Sequence, residues 1–143
     1  MIYYHNEDVK LDIKNKLKIR QWINSVVTSE GKKIGDVNYI FCSDQYLLKV
    51  NQEALDHDYY TDIITFDYCE GAVVSGDLFI SIDRVKDNAT QLKESFNREL
   101  SRVMIHGILH LCGYGDKSET EEKLMREKEN NNINKLKHCI SVF

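Results

Sequence analysis

Apolar residues recur along this chain with two different periods. From about Asp12 to Ser29, Ile19, Trp22, Ile23, Val26 and Val27 keep the i, i+3, i+4, i+7, i+8 spacing of one helical face. Lys14, Lys18 and Arg20 fall on the same predicted helix and offer it a basic, solvated face. Short runs rich in β-branched and aromatic residues lie on either side. Ile2 to Tyr4 can form a first strand, and Val37 to Cys42 (VNYIFC) a second. Ser43 can cap a helix that follows to about Leu55. Ile63 to Cys69 and Leu78 to Ile82 read as two more strands, joined through EGAVVSG, whose glycines permit a turn or hairpin connection.

The last third is helical. A helix is predicted from about Asp83 to Leu92 and another from near Ser95. On the second, Leu100, Val103, Met104, Gly107, Ile108 and Leu111 share a face. Ile105 and Leu109 add apolar groups off that face, so this helix should be buried on most sides. Ser118 and Glu121 form a capping-box pattern that opens a charged terminal helix. The sum is an α/β (α+β-like) fold: one domain over residues 1–143, a small mixed sheet packed by about five helices.

Composition narrows the setting. With 143 residues, 42% hydrophobic and 29% charged, the chain can bury a core of its own. No apolar run approaches the ~18 residues of a membrane span. The opening MIYYHNEDVK is too polar for a secretory signal, and KHCISVF sets its cysteine one place too far from the end for prenylation. The expected compartment is the cytoplasm. Cys42, Cys69, Cys112 and Cys139 are scattered without a CxxC pair, which suits reduced, mostly buried thiols, and Cys112 reads as a packing residue. Net charge is −4, and residues 38–80 carry one Lys or Arg against eight Asp and Glu. Any contact with nucleic acid must therefore use a local basic patch.

One stretch carries chemistry. Glu99, Arg102, His106 and His110 fall on a single strip of the buried helix, at offsets of three and four. Side chains four apart on a helix are neighbours, so two imidazoles can converge on one ion. Gly113, three residues on, can take a left-handed conformation and end the helix, letting the chain return Asp116 as a third ligand. Two imidazoles and a carboxylate form a standard zinc set that leaves one position open. Each residue also has an ordinary use, as a packed histidine, a helix cap or a turn aspartate; their convergence within residues 106–116 points to a metal. The spacing HxxxHxxGxxD matches that of zinc proteases of the metzincin type, but their general-base glutamate is replaced by Gly107.

HGILHLCGYGD, at 106–116, resembles the HGxLHLxGYDH motif of the bacterial YbeY family of metal-dependent endoribonucleases. TDIITF at 61–66 and GDLFIS at 76–81 resemble two further family stretches in the same order. The likeness spans roughly residues 50 to 130. It implies a zinc-bearing α/β domain that matures small-subunit (16S) ribosomal RNA and serves ribosome quality control. It implies one Zn2+ per chain on His106, His110 and Asp116, with the small ribosomal subunit as partner and room for a ribosome-associated protein. Three positions depart from the family pattern: Asp116 replaces a third histidine, Gly115 an aspartate, and Leu55 an arginine.

The nucleophile stays open between a water on the metal and the ribose 2′-hydroxyl. Arg102 is a candidate phosphate contact, with an ion pair to Glu99 as its alternative; His57 and Lys117 are further candidates. Asp62 and Asp77 are candidates for orienting ligands. Two other readings stand beside the ribonuclease: a non-catalytic ribosome-assembly factor with a structural zinc, and a metallopeptidase.

Overall fold

The computed structural model describes residues 1–57 and 59–136. Four strands, β1 (Ile2–Asn6), β2 (Lys33–Cys42), β3 (Ile63–Asp67) and β4 (Val73–Ser81), form one sheet in the order β1-β2-β4-β3. β1, β2 and β4 run parallel, and β3 pairs antiparallel with β4, Ile63 opposite Ile80 and Asp67 opposite Gly76. Five helices complete the described residues: α1 (Lys16–Ser29), α2 (Asp44–Leu55), α3 (Ile82–Leu92), α4 (Phe96–Leu111) and α5 (Glu119–Lys135). The expected mixed α/β domain is what the chain forms. No helix among the described residues is long and apolar enough to cross a membrane.

Alternation along the strands divides the interior in two. Val37, Tyr39 and Phe41 of β2, with Leu78 and Ile80 of β4, face the larger core beneath α1, α4 and α5. Cys42 and Ile64 face the other way and pack with Leu47 of α2. The polar tip of Tyr39 is satisfied inside the core, its hydroxyl donating to the Met104 carbonyl of α4 at 3.0 Å. Serines cap four of the helices, Ser43 and Ser118 where the sequence suggests and Ser81 and Ser95 besides, each accepting from a backbone N–H of the first turn. Ser118 and Glu121 form the predicted reciprocal box.

Boundaries move for local reasons. α1 begins at Lys16 rather than near Asp12, because Leu11 and Ile13 leave the helical pattern to enter the core and Asn15 takes a left-handed conformation, φ 58°. Lys14 therefore precedes the helix and pairs with Asp12 at 3.7 Å. β3 stops at Asp67, whose carboxylate accepts from the Cys69 N–H at 2.8 Å and turns the chain. β4 starts earlier than expected, at Val73, so only Gly71 and Ala72 separate it from the bridge partner Glu70. Among the described cysteines, Cys42, Cys69 and Cys112 are free thiols, with Cys42 buried and the other two half-buried. Cys139 and the KHCISVF ending lie outside the described residues.

Gly107 marks where α4 comes closest to the sheet. A Cβ there would lie 2.8 Å from Ile63 Cδ1 and 3.0 Å from each Leu78 methyl. Position 107 thus serves helix–sheet packing. Gly107→Ala gains about 0.8–1.0 kcal/mol in helix propensity, which offsets the displacement of those side-chain ends. Gly107→Val presses two further carbons against fully buried Leu78, an overpacking that costs about 1–3 kcal/mol. Urea unfolding should therefore place Ala near wild type and Val clearly below it.

Candidate metal centre

The convergence that the spacing suggests is present. His106 and His110 project from one side of α4, their ring centroids 4.4 Å apart and their planes nearly perpendicular at 87°. α4 then ends in a Schellman turn: the Gly113 N–H bonds the His110 carbonyl at 2.9 Å and the Tyr114 N–H bonds that of Leu109 at 3.0 Å. Gly113 sits at φ +107°, a backbone state that costs other residues strain. The chain doubles back, and Asp116 Oδ2 comes to 3.3 Å from Nε2 of both histidines. One ligand atom from each of the three residues lies within 4.8 Å of the other two.

These residues fit a metal. Donors at ~2.0–2.1 Å from a tetrahedral zinc are about 3.3 Å from one another, which is the separation found between each imidazole and the carboxylate. The far ring nitrogens are already in use. His110 Nδ1 donates to the Tyr114 carbonyl at 2.9 Å, and His106 Nδ1 bonds Glu129 Oε2 at 2.6 Å. Both rings thereby turn their Nε2 atoms toward Asp116. This is the arrangement by which a carbonyl or carboxylate behind a histidine sets its tautomer and makes it a better ligand.

The local field favours a cation. Burial alone would depress the His106 pKa, but the Glu129 carboxylate, helped by Asp62 and Asp116, raises it above the usual imidazole value. Burial also raises Asp62. Its carboxylate accepts from the Asn88 amide at 3.3 Å and lies in the walls of two clefts that meet at His106 and Asp116. One cleft, of about 430 Å³, also exposes His110 and is bordered by Leu55, His57 and Tyr59. The other, of about 380 Å³, runs toward Arg102 and Arg126.

The remaining nominated residues fall in different places. Arg102 is only 7% exposed. Its guanidinium lies 3.3 Å from Glu99 and from Glu129, donates to Asn130 Oδ1 at 2.8 Å, and reaches Glu94 at 3.6 Å. Burial pushes the Glu99 carboxyl up to about 7 against the opposing pull of Arg102. His57 stands at the cleft edge, and Lys117 is exposed beside Asp116. Asp77 sits mid-strand, accepts from Asn38 at 3.1 Å, and is not among the described residues lining either cleft.

Glu129 is the residue that sequence reasoning missed. It belongs to a buried stripe on an otherwise charged helix, with Met125, Asn132 and Ile133 at helical spacing. A glutamate on such an inward stripe was the available signal. The Tyr114 contribution comes through its carbonyl, which no side-chain pattern reports.

A family model described as Endoribonuclease YbeY matches residues 2–137. A protein of Phocaeicola vulgatus named endoribonuclease YbeY is 56% identical over 131 residues, 91% of this chain and 94% of its own length. One of the same name from Parabacteroides distasonis is 54% identical over 129 residues, 90% of this chain and 91% of that one. A solution structure of a Thermotoga maritima protein superposes with a TM-score of 0.65 at 27% identity, covering 95% of this chain and 89% of the other.

Two substitutions test the centre itself. His110→Ala should lose stoichiometric zinc by elemental analysis while its far-ultraviolet circular dichroism stays that of wild type. Glu129→Gln keeps three ligands but weakens the acceptor behind His106, and competition with a chromogenic chelator should show zinc held about 10–100-fold less tightly. Equal zinc binding by wild type and His110→Ala would remove the assignment.

Proposed function

The chain belongs to the YbeY endoribonuclease family, and from that membership we propose that it is a zinc-dependent endoribonuclease maturing 16S ribosomal RNA on the small ribosomal subunit, with a part in ribosome quality control. The observation that carries the reading is the convergence of His106 Nε2, His110 Nε2 and Asp116 Oδ2 where two clefts meet. An enzyme that cuts within a long polymer needs its reacting centre in an open depression, and these clefts supply one. The cytoplasm, where ribosomes are made, is the compartment this reading assigns.

His106, His110 and Asp116 would hold the ion. When bound, zinc supplies Lewis acidity, polarising a phosphoryl oxygen and lowering the pKa of water toward ~7. The protein's own groups do the rest. Glu129 and the Tyr114 carbonyl keep both imidazoles in the tautomer that offers Nε2. Asp62, desolvated and turned toward both clefts, is placed to accept a hydrogen bond from a ribose hydroxyl or a water. Arg102 is buried among three carboxylates and donates to Glu129 and Asn130, so its role in this reading is to fix Glu129 rather than to hold RNA. His57 and Lys117, at the edges, are left as the nominated RNA contacts.

A scaffold reading keeps one supporting observation: the cleft that exposes His110 has Asp62, Asp67 and Asp116 but no Lys or Arg among its described lining residues, and Leu55 sits on its border. The peptidase reading lacks its base. A side chain at position 107 meets Ile63 and Leu78 instead of a cleft.

Precursor 16S ribosomal RNA incubated with protein of defined zinc content separates enzyme from scaffold. Wild type should cut it, and His110→Ala should lose activity by at least about 100-fold. Intact RNA after incubation with zinc-loaded wild type would leave only the scaffold.

A further inference from the structure

The border of the cleft that exposes His110 carries side chains that the core does not use. Tyr59 is 56% exposed and Leu55 41% exposed, and both line this cleft beside His57. Scattered surface tyrosines need no explanation. These differ because they border the same depression as His106, His110 and Asp116. They are also held in place. The His57 and Tyr59 rings stack at 5.2 Å with planes 23° apart, and the Tyr59 hydroxyl lies 3.1 Å from His57 Nδ1. Buried Asn51 ties the backbone down: its amide donates to the Tyr59 carbonyl at 3.0 Å, and its carbonyl accepts from the His57 N–H at 3.1 Å.

Charge decides what such a surface can bind. Away from the three residues proposed to hold the ion, the charged lining of the cleft is Asp62 and Asp67 with no described Lys or Arg, so a phosphate at that border would be repelled. A flat, neutral ring system would not. Aromatic side chains bind nucleobases through their faces whatever the base, because every base has one. A stacked pair already fixed by hydrogen bonds gives up little freedom on binding.

We propose that Tyr59, backed by His57 and bordered by Leu55, is a stacking shelf for one nucleobase of the RNA whose phosphodiester lies at the metal centre. This rests on the endoribonuclease reading. The shelf sorts substrates by ring area, so a purine at that position binds better than a pyrimidine. The RNA thereby enters with a base against Tyr59 and, apart from the phosphodiester at the ion, its phosphates directed away from Asp62 and Asp67.

The experiment measures dissociation constants of zinc-loaded protein for short fluorescent oligoribonucleotides by anisotropy, at low temperature to slow turnover. One oligomer is complete, and each of the others lacks a single base. Wild type should bind one of the base-less oligomers about tenfold more weakly than the complete RNA. Tyr59→Ala should bind the complete RNA about tenfold more weakly and be nearly indifferent to loss of that same base. Tyr59→Phe, which keeps the ring and loses the hydroxyl, should behave as wild type, and all three proteins should bind zinc equally. If Tyr59→Ala weakens complete and base-less RNA by the same factor, or leaves the complete RNA unaffected, there is no shelf. If wild type binds none of the oligomers, the endoribonuclease reading has failed and the shelf goes with it.

Discussion

Glu129 is only 3% exposed, and a carboxylate taken so far from water costs several kcal/mol unless donors surround it. The fold meets that demand from two helices at once. Arg102 of α4 and Arg126 of α5 each come to 3.3 Å from its Oε1, while His106 takes Oε2 at 2.6 Å. Arg102 and His106 both reach this buried carboxylate from α4, and so tie α4 to α5. The same contact that secures two helices also orients His106, one of the three proposed metal ligands. Stability and chemistry share a carboxylate here, and the position of the centre follows from that sharing.

The opposite side of the centre is fixed by the turn after α4. Tyr114 contributes twice, through a carbonyl that receives the His110 proton and through a hydroxyl that donates to Glu30 at 2.5 Å, at the end of α1. Lys128 of α5 closes this strut with a 3.3 Å contact to the other Glu30 oxygen and lies 5.3 Å over the Tyr114 ring. His106 is thus steadied through Glu129 and His110 through Tyr114, and both supports lead back to α5. Asp116, on the short connection between α4 and α5, comes to 3.3 Å from both Nε2 atoms. The histidines stand ready for an ion because their hydrogen-bonding partners have been chosen by the packing of the helices.

Much of this was legible in the residues. The i, i+4 histidines and the glycine three residues later specify a helix and its end, and the described geometry follows those local rules. The Ser43 and Ser118 caps were readable for the same reason, since each acts within one turn. What escaped was non-local or carried by backbone. Glu129 lies 23 residues from His106 in the chain, and only the packing of α5 brings them together. The start of α1 was placed too early because no local pattern announces that Asn15 turns left-handed before the helix while Leu11 and Ile13 go into the core. Gly107 was placed on the buried face and also read as a missing base; how closely it lets the helix approach Ile63 and Leu78 is something periodicity does not encode.

The central claim is that two imidazole Nε2 atoms and one carboxylate oxygen hold a single ion. Anomalous diffraction at the zinc absorption edge from a crystal of zinc-loaded protein tests it most directly. The account predicts one strong peak per chain, within ~2.0–2.2 Å of His106 Nε2, His110 Nε2 and an Asp116 oxygen. A peak on Glu129 or elsewhere, or no peak from protein with stoichiometric zinc in solution, would contradict it.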